Sequence, residues 1–63
     1  MKRVTISELD ALRACDTNAD SKESLLYWIW GARRRGIISE DAAGFFLTDE
    51  QMGYWRACGI VIL

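Results

Sequence analysis

The sequence predicts an all-α fold, in which three to four short helices form a small bundle within one domain over residues 1–63. Two helix-start patterns, Thr5 with Glu8 and Thr48 with Gln51, match the capping box. Apolar residues recur at helical spacing along much of the chain, and there is no proline to break a helix. A chain this short has room for a single hydrophobic core.

The first helix is predicted to begin directly after Thr5. Val4 and Leu9 flank the first capping box at the positions of a hydrophobic staple. Apolar residues then recur at every third position on one slowly drifting face: Ile6, Leu9, Leu12 and Cys15. The polar stretch over residues 16–20 supplies the turn and cap chemistry that ends this helix.

The second helix is predicted over residues 21–35, with an N-cap at residue 20 or 21 and Gly36 just past its end. One compact face carries the expected core residues: Leu25, Trp28, Ile29 and Ala32. Leu26 and Trp30 widen the apolar arc to more than half of the circumference. We therefore expect this helix to be central in the bundle.

The third and fourth helices are predicted to be joined by only a bend. Ser39 and the two acidic residues after it open a short helix that continues through Phe46. The second capping box starts the fourth helix at Asp49. The apolar tail over residues 60–63 does not continue one face of that helix, so we expect it to close over the core or to bind a second subunit.

The composition argues against several classes of function. A net charge of -1 and a pI near 5.2 disfavour general nucleic-acid binding. The longest uncharged apolar stretch, residues 25–32, is shorter than the roughly 20 residues that span a bilayer, so we expect no membrane partner. Polar residues at 7, 8 and 10 interrupt any apolar stretch after the basic start, so we expect no secretory signal and a cytoplasmic protein. Cys15 and Cys58 are expected to be reduced, buried hydrophobic residues, and no metal or cofactor is expected without histidine.

No group of residues predicts catalysis, so we expect a protein that is not an enzyme. Neither thiol has a base or a cation close to it in sequence, and there is no glycine-rich phosphate loop. Several acidic residues fall in the first turns of predicted helices, where a negative charge is favourable without any catalytic role. They are Glu8, Asp10, Glu40, Asp41, Asp49 and Glu50.

Two features of the second helix predict contact with a partner. One stripe at spacings of four and three projects from a single side: Glu23, Tyr27, Trp30 and Arg34. Exposed aromatic residues beside arginine are typical binding anchors, although a small bundle can also bury Trp30 beneath another helix. The cluster of Arg33, Arg34 and Arg35 can bind phosphates or an acidic protein surface, and it also suits the cation-favouring end of a helix.

The chain carries more apolar side chain than a domain of its size can bury. Hydrophobic residues make up 51% of it and three residues are tryptophan, whereas such a small domain hides only about 60% of the surface of its unfolded chain. We therefore expect a homodimer that shares some of this surface. The expected self-association surface is the tail: Ile60, Val61, Ile62 and Leu63.

The segment LLYWIWGARRRGIISEDAAGFFLTDEQ, residues 25–51, together with the Met-Lys-Arg start, resembles the small early proteins of lambda-like temperate phages that are encoded between the exonuclease and excisionase genes. The resemblance covers most of the chain and transfers no functional residue. It implies an accessory protein in the host cytoplasm that binds host or phage proteins and modulates the host cell cycle or the choice between lytic and lysogenic development.

The function that we expect is therefore protein–protein interaction without catalysis. Tyr27, Trp30 and the three arginines are the expected partner-binding residues. The alternative is a nucleic-acid-associated regulator that uses the cluster at residues 33–35 on phosphates, with nucleic acid unlikely to be its sole partner.

Overall fold

Residues 1–62, the part of the chain that the computed structural model describes, contain three helices and three short strands. In chain order they are β1 (Lys2–Val4), α1 (Ile6–Cys15), α2 (Leu25–Arg35), β2 (Ser39–Asp41), β3 (Gly44–Leu47) and α3 (Asp49–Ala57). The strands form one antiparallel sheet in the order β1-β3-β2. The fold is a mixture of helix and sheet, so the predicted all-α helical bundle is wrong.

The helix predicted from Ser39 through Phe46 is instead a β-hairpin. Gly44 has φ 125°, which a helix does not allow and which glycine adopts without strain. The carboxylate of Asp41 accepts a hydrogen bond from the Ala43 N–H at 2.9 Å and stabilises the turn. The aromatic residues that follow favour a strand. Ser39 and its two acidic neighbours therefore form an edge strand and do not cap a helix.

A partner that is distant in sequence completes the hairpin. β1 pairs with β3, so that Arg3 lies opposite Phe46. The Arg3 guanidinium donates to both carboxylate oxygens of Asp41 at 2.6 Å and lies 5.2 Å from the centre of the Phe46 ring. This pairing stabilises the extended form of residues 44–47. The residues of that segment alone do not predict the pairing, because β1 is distant in sequence.

Both predicted capping boxes are confirmed. The Thr5 hydroxyl accepts from the Glu8 N–H at 3.1 Å, and the Glu8 carboxylate accepts from the Thr5 N–H at 2.8 Å. The equivalent pair of bonds joins Thr48 and Gln51 at 3.1 and 2.9 Å. As predicted, α1 and α3 begin directly after these threonines.

The second helix is shorter than predicted at its start. The Ser24 hydroxyl accepts from the Tyr27 N–H at 3.1 Å and caps α2, so the helix begins at Leu25. The Asp20 carboxylate accepts from the Lys22 N–H at 2.9 Å, which gives a local turn where a helix cap was predicted. At the other end the predicted left-handed cap is present, because Gly36 has φ 77°.

The core lies between the helices and one face of the sheet and contains two of the three indoles. The Trp55 N–H donates to the Ile37 carbonyl at 2.9 Å, so this fully buried indole has its hydrogen bond satisfied. The buried hydrophobic residues are Val4, Leu9, Leu12, Trp28, Ile29, Ala32, Ile37, Ile38, Leu47, Met52 and Trp55. Cys15 and Cys58 are exposed, so the expectation that they belong to the core is wrong.

After α3 and its cap residue Cys58, the chain turns at Gly59, which has φ 95°. The Ile60 N–H donates back to the Trp55 carbonyl at 3.1 Å, the bond expected of a Schellman helix end. Ile60 and Ile62 then pack against the core, whereas Val61 is 84% exposed. Leu63, the last of the four residues expected to mediate self-association, lies outside the described residues. None of the described helices is long and apolar enough to cross a membrane.

Candidate functional site

The outward side of α2 carries three large, exposed apolar residues. Leu26 is 74% exposed, Tyr27 61% and Trp30 50%. At 100° per residue these side chains occupy one arc of the helix, on the side away from the buried Trp28 and Ile29. We call Leu26, Tyr27, Trp30 and Arg34 the aromatic arc.

The members of the predicted stripe that lie on α2 contact one another. The Tyr27 and Trp30 ring centres are 6.0 Å apart at an interplanar angle of 40°. The Arg34 guanidinium carbon lies 4.7 Å from the centre of the Trp30 ring, a cation–π distance. Glu23 lies before the helix, where its carboxylate accepts from the Asp20 N–H at 3.2 Å, so it is not part of this stack.

The three consecutive arginines have three different surroundings. Arg33 forms an ion pair with Glu40 at 2.8 Å. Arg35 forms an ion pair with the buried Asp16 at 2.9 Å. Arg34 lies on Trp30, and within residues 1–62 it forms no salt bridge. The three arginines therefore do not form one basic surface. Arg33 lies at the hairpin, Arg34 stacks on Trp30, and Arg35 lies at the boundary of the core.

A groove of about 460 Å³ separates α2 from the hairpin. We call it the arginine groove. It is lined by Trp30, Arg33, Arg34, Ile38, Ser39, Glu40 and Phe46. Sequence reasoning found the helical wall but missed the wall formed by β2 and β3, because it assigned those residues to a helix. It also missed Leu26 as a surface residue, although its position four residues before Trp30 indicated the shared side.

A second groove of about 260 Å³ lies beside the C-terminal tail. We call it the tail groove. Its lining is mainly apolar and comes from β1, α1 and the tail: Lys2, Val4, Glu8, Ala11, Leu12, Ile60, Val61 and Ile62. Three of the four residues predicted for self-association therefore lie together at one surface.

Asp16 connects the end of α1 to α2. Its carboxylate accepts from the Trp28 indole N–H at 2.7 Å, from Arg35 at 2.9 Å and from the Asn18 N–H at 3.1 Å. Burial raises the pKa of this carboxyl, but the hydrogen bonds and the charge of Arg35 outweigh burial, so the pKa lies below its usual value. Arg35 also contacts the Tyr54 hydroxyl at 3.5 Å. We interpret this cluster as structural, because it holds two helices together.

The comparisons with known proteins provide no assignment for these surfaces: no protein-family model matches the chain, and no match is found among curated proteins or solved structures. In the described part of the chain, no three acidic or cysteine side chains are grouped where they could hold a metal ion. The aromatic arc and the arginine groove are therefore interpreted from their own geometry.

Proposed function

We propose that this protein is a binding module that acts by contact with another protein through the aromatic arc. One observation carries the proposal: Leu26, Tyr27 and Trp30 remain exposed on one side of α2, although the core encloses Trp28 and Trp55. Large apolar residues exposed together on one side of a helix are typical of interaction sites. Tryptophan, tyrosine and arginine are also the residues most enriched among binding hot spots.

The stack makes the aromatic arc suitable for binding. Trp30 contacts both Tyr27 and Arg34. These contacts restrict the indole before a partner arrives, so less side-chain entropy is lost on binding.

The nucleic-acid alternative has weaker support. Phosphate binding by the cluster would use all three guanidinium groups, but carboxylates of Glu40 and Asp16 neutralise Arg33 and Arg35. The chain also carries a net charge of -1, which repels a polyanion. A protein partner is therefore the better-supported interpretation.

The resemblance to small phage proteins adds a hypothesis about the origin of the partner. If the resemblance reflects descent, the partner is a host or phage protein in the host cytoplasm, and binding acts on it sterically or allosterically. This part of the proposal rests on the resemblance of residues 25–51 and of the Met-Lys-Arg start.

Affinity capture with matched variants tests the proposal. Immobilised wild-type protein, Tyr27→Ala and Trp30→Ala are compared in capture from a bacterial lysate. Ile6→Ala is the control, because Ile6 lies on α1 and is 50% exposed, the same fraction as Trp30 on α2. We expect both aromatic variants to lose a protein that wild type and Ile6→Ala retain, because a hot-spot truncation costs about 2 kcal/mol or more, which is roughly 30-fold in affinity.

Thermal unfolding of each variant shows that it is folded before capture is compared. Identical captured proteins for wild type, Tyr27→Ala and Trp30→Ala would contradict the proposal.

A further inference from the structure

The arginine groove lies beside an unoccupied sheet edge. β2 is the last strand in the order β1-β3-β2. Within residues 1–62, the backbone of Ser39–Asp41 has no hydrogen bond to backbone outside the sheet. In an antiparallel pair, successive residues direct their N–H and C=O groups to alternate sides, so part of this backbone is available to a further strand.

The acidic residues of β2 do not make this edge repulsive to a carboxylate. Glu40 is held by Arg33 at 2.8 Å. Asp41 is held by both guanidinium nitrogens of Arg3 at 2.6 Å. Among the described residues that line the groove, Arg34 is the charged residue without a carboxylate partner. The groove therefore favours an anionic side chain.

Arg34 is held in a geometry that suits a carboxylate. Its guanidinium lies 4.7 Å from the centre of the Trp30 ring. A guanidinium that stacks on an aromatic ring keeps the N–H groups at its rim free, and these match the two oxygens of a carboxylate. Trp30 and Phe46 supply apolar surface in the same groove.

We propose that the arginine groove binds an extended acidic peptide segment of the partner protein. The segment adds to β2 as a further strand, places a carboxylate on Arg34, and packs a large apolar side chain against Trp30 and Phe46. Because alternate residues of a strand share one side, the apolar and acidic residues of the segment are two positions apart. This inference rests on the proposed function and names the chemistry of its partner.

The ion pair between Arg33 and Glu40 acts as an internal competitor in this arrangement. Arg33, the second arginine of the groove, already forms an ion pair with the Glu40 carboxylate at 2.8 Å. Glu40→Gln removes that charge and leaves Arg33 available to the peptide. We therefore expect Glu40→Gln to strengthen the binding of an acidic peptide, whereas loss of Arg34 weakens it.

Fluorescence anisotropy with labelled hexapeptides tests the proposal. The probe is Thr-Phe-Thr-Glu-Thr-Glu, and its matched control is Thr-Phe-Thr-Gln-Thr-Gln. We expect the full chain to bind the acidic probe about tenfold more tightly, as one charge-assisted bidentate contact provides. Arg34→Gln should abolish that preference, Arg34→Lys should lose most of it, and Glu40→Gln should increase it.

Two further probes separate the alternatives. The acidic peptide with methylated amides on alternate residues keeps its side chains but cannot donate to a strand, so its binding should be lost. A ten-nucleotide oligothymidine should bind more weakly than the acidic peptide. Equal binding of the methylated peptide, tighter binding of oligothymidine, an unchanged preference in Arg34→Gln, or no binding of the acidic probe at millimolar concentration would each overturn the proposal.

The two proposals fail in different ways. Trp30→Ala could lose the captured partner while Arg34→Gln retains it, although Arg34→Gln no longer binds the acidic probe. In that case the partner is not held by the acidic contact, so the acidic peptide is rejected and the aromatic arc remains the proposed binding surface. If neither variant affects capture, the proposed function itself is rejected. The unfolding temperatures of Arg34→Gln and Glu40→Gln, both substitutions at exposed positions, verify that the groove is intact.

Discussion

Asp16 is the buried charged residue on which the junction of α1 and α2 depends. Its carboxylate accepts hydrogen bonds from Trp28, Arg35 and the Asn18 backbone, so both of its oxygens are used. A buried carboxylate is costly unless it is paired and hydrogen-bonded. Removing its charge leaves Arg35 without its partner, and the effect should appear in the stability of the whole chain.

Asp16→Asn should lower the free energy of unfolding at about pH 7 by about 2 kcal/mol, because Arg35 loses its ion pair. Since the pKa of Asp16 is lower in the folded chain, its contribution is present above an unfolded pKa of about 3.9 and is lost as the pH falls through the lower folded value. The wild type should therefore lose stability below about pH 4 more steeply than Asp16→Asn. Urea unfolding followed by tryptophan fluorescence measures both quantities.

The control for this prediction is Asp10→Asn, at a carboxylate that is 57% exposed in its pair with Arg13. Exposed pairs contribute little, so the control should unfold nearly like the wild type. A residual acid dependence is expected in every variant, because hydrogen bonds from Thr5 and Arg3 also lower the pKa values of Glu8 and Asp41. Parallel pH curves for wild type and Asp16→Asn would contradict the role given to Asp16.

At the scale of the elements, the conformation of Gly44 distinguishes the hairpin from the predicted helix. Gly44→Ala should destabilise the protein by about 1 kcal/mol, because alanine at φ 125° is strained. Gly53→Ala is the matched substitution within α3, where it should stabilise by about 0.5–1 kcal/mol through helix propensity. An added Cβ meets no atom within 4 Å at either position, so packing does not obscure the comparison.

Denaturant midpoints of the two variants provide the measurement. The same substitution, glycine to alanine, is expected to change the free energy of unfolding with opposite signs at the two positions. If both substitutions were stabilising, the turn at Gly44 would be compatible with a helix, and the hairpin would be in doubt.

The sequence predicted those elements whose stabilising contacts are local. Thr5 with Glu8 and Thr48 with Gln51 act over three residues, so both helix starts were visible. Residues 39–46 also carry helix-start chemistry, but their conformation depends on pairing with β1, which lies at the other end of the chain. Tertiary contacts override local preference in such segments. The hairpin wall of the arginine groove was missed for the same reason. The helical spacing of Trp30 and Arg34, in contrast, indicated that they share one side of α2, and both line the groove.

At the scale of the whole molecule, the homodimer stays a prediction that the tail groove makes more specific. Val61 is 84% exposed at a mainly apolar groove that also carries Lys2 and Glu8. One basic and one acidic residue at the same surface can pair reciprocally across a two-fold axis. The tail groove is therefore the surface at which self-association is expected.

Val61→Asp should convert the dimer to a monomer, because it places a charge in an apolar interface. Light scattering of the purified chain measures the mass directly. This substitution is preferable to removal of the tail, since Ile60 and Ile62 also pack against the core. Val61→Thr, which keeps the shape without a charge, is the control and should weaken the dimer less. A wild-type protein that is monomeric at high concentration would reject the homodimer.

Synthesis on the ribosome separates the two halves of the sheet in time. Lys2–Val4 is synthesised well before its hydrogen-bonding partners at residues 45–47. β1 therefore has no pairing partner until residues 44–47 have been made, and we expect its pairing with the hairpin to be a late step of folding. A chaperone that binds extended segments would therefore be expected to bind this protein at residues 2–4.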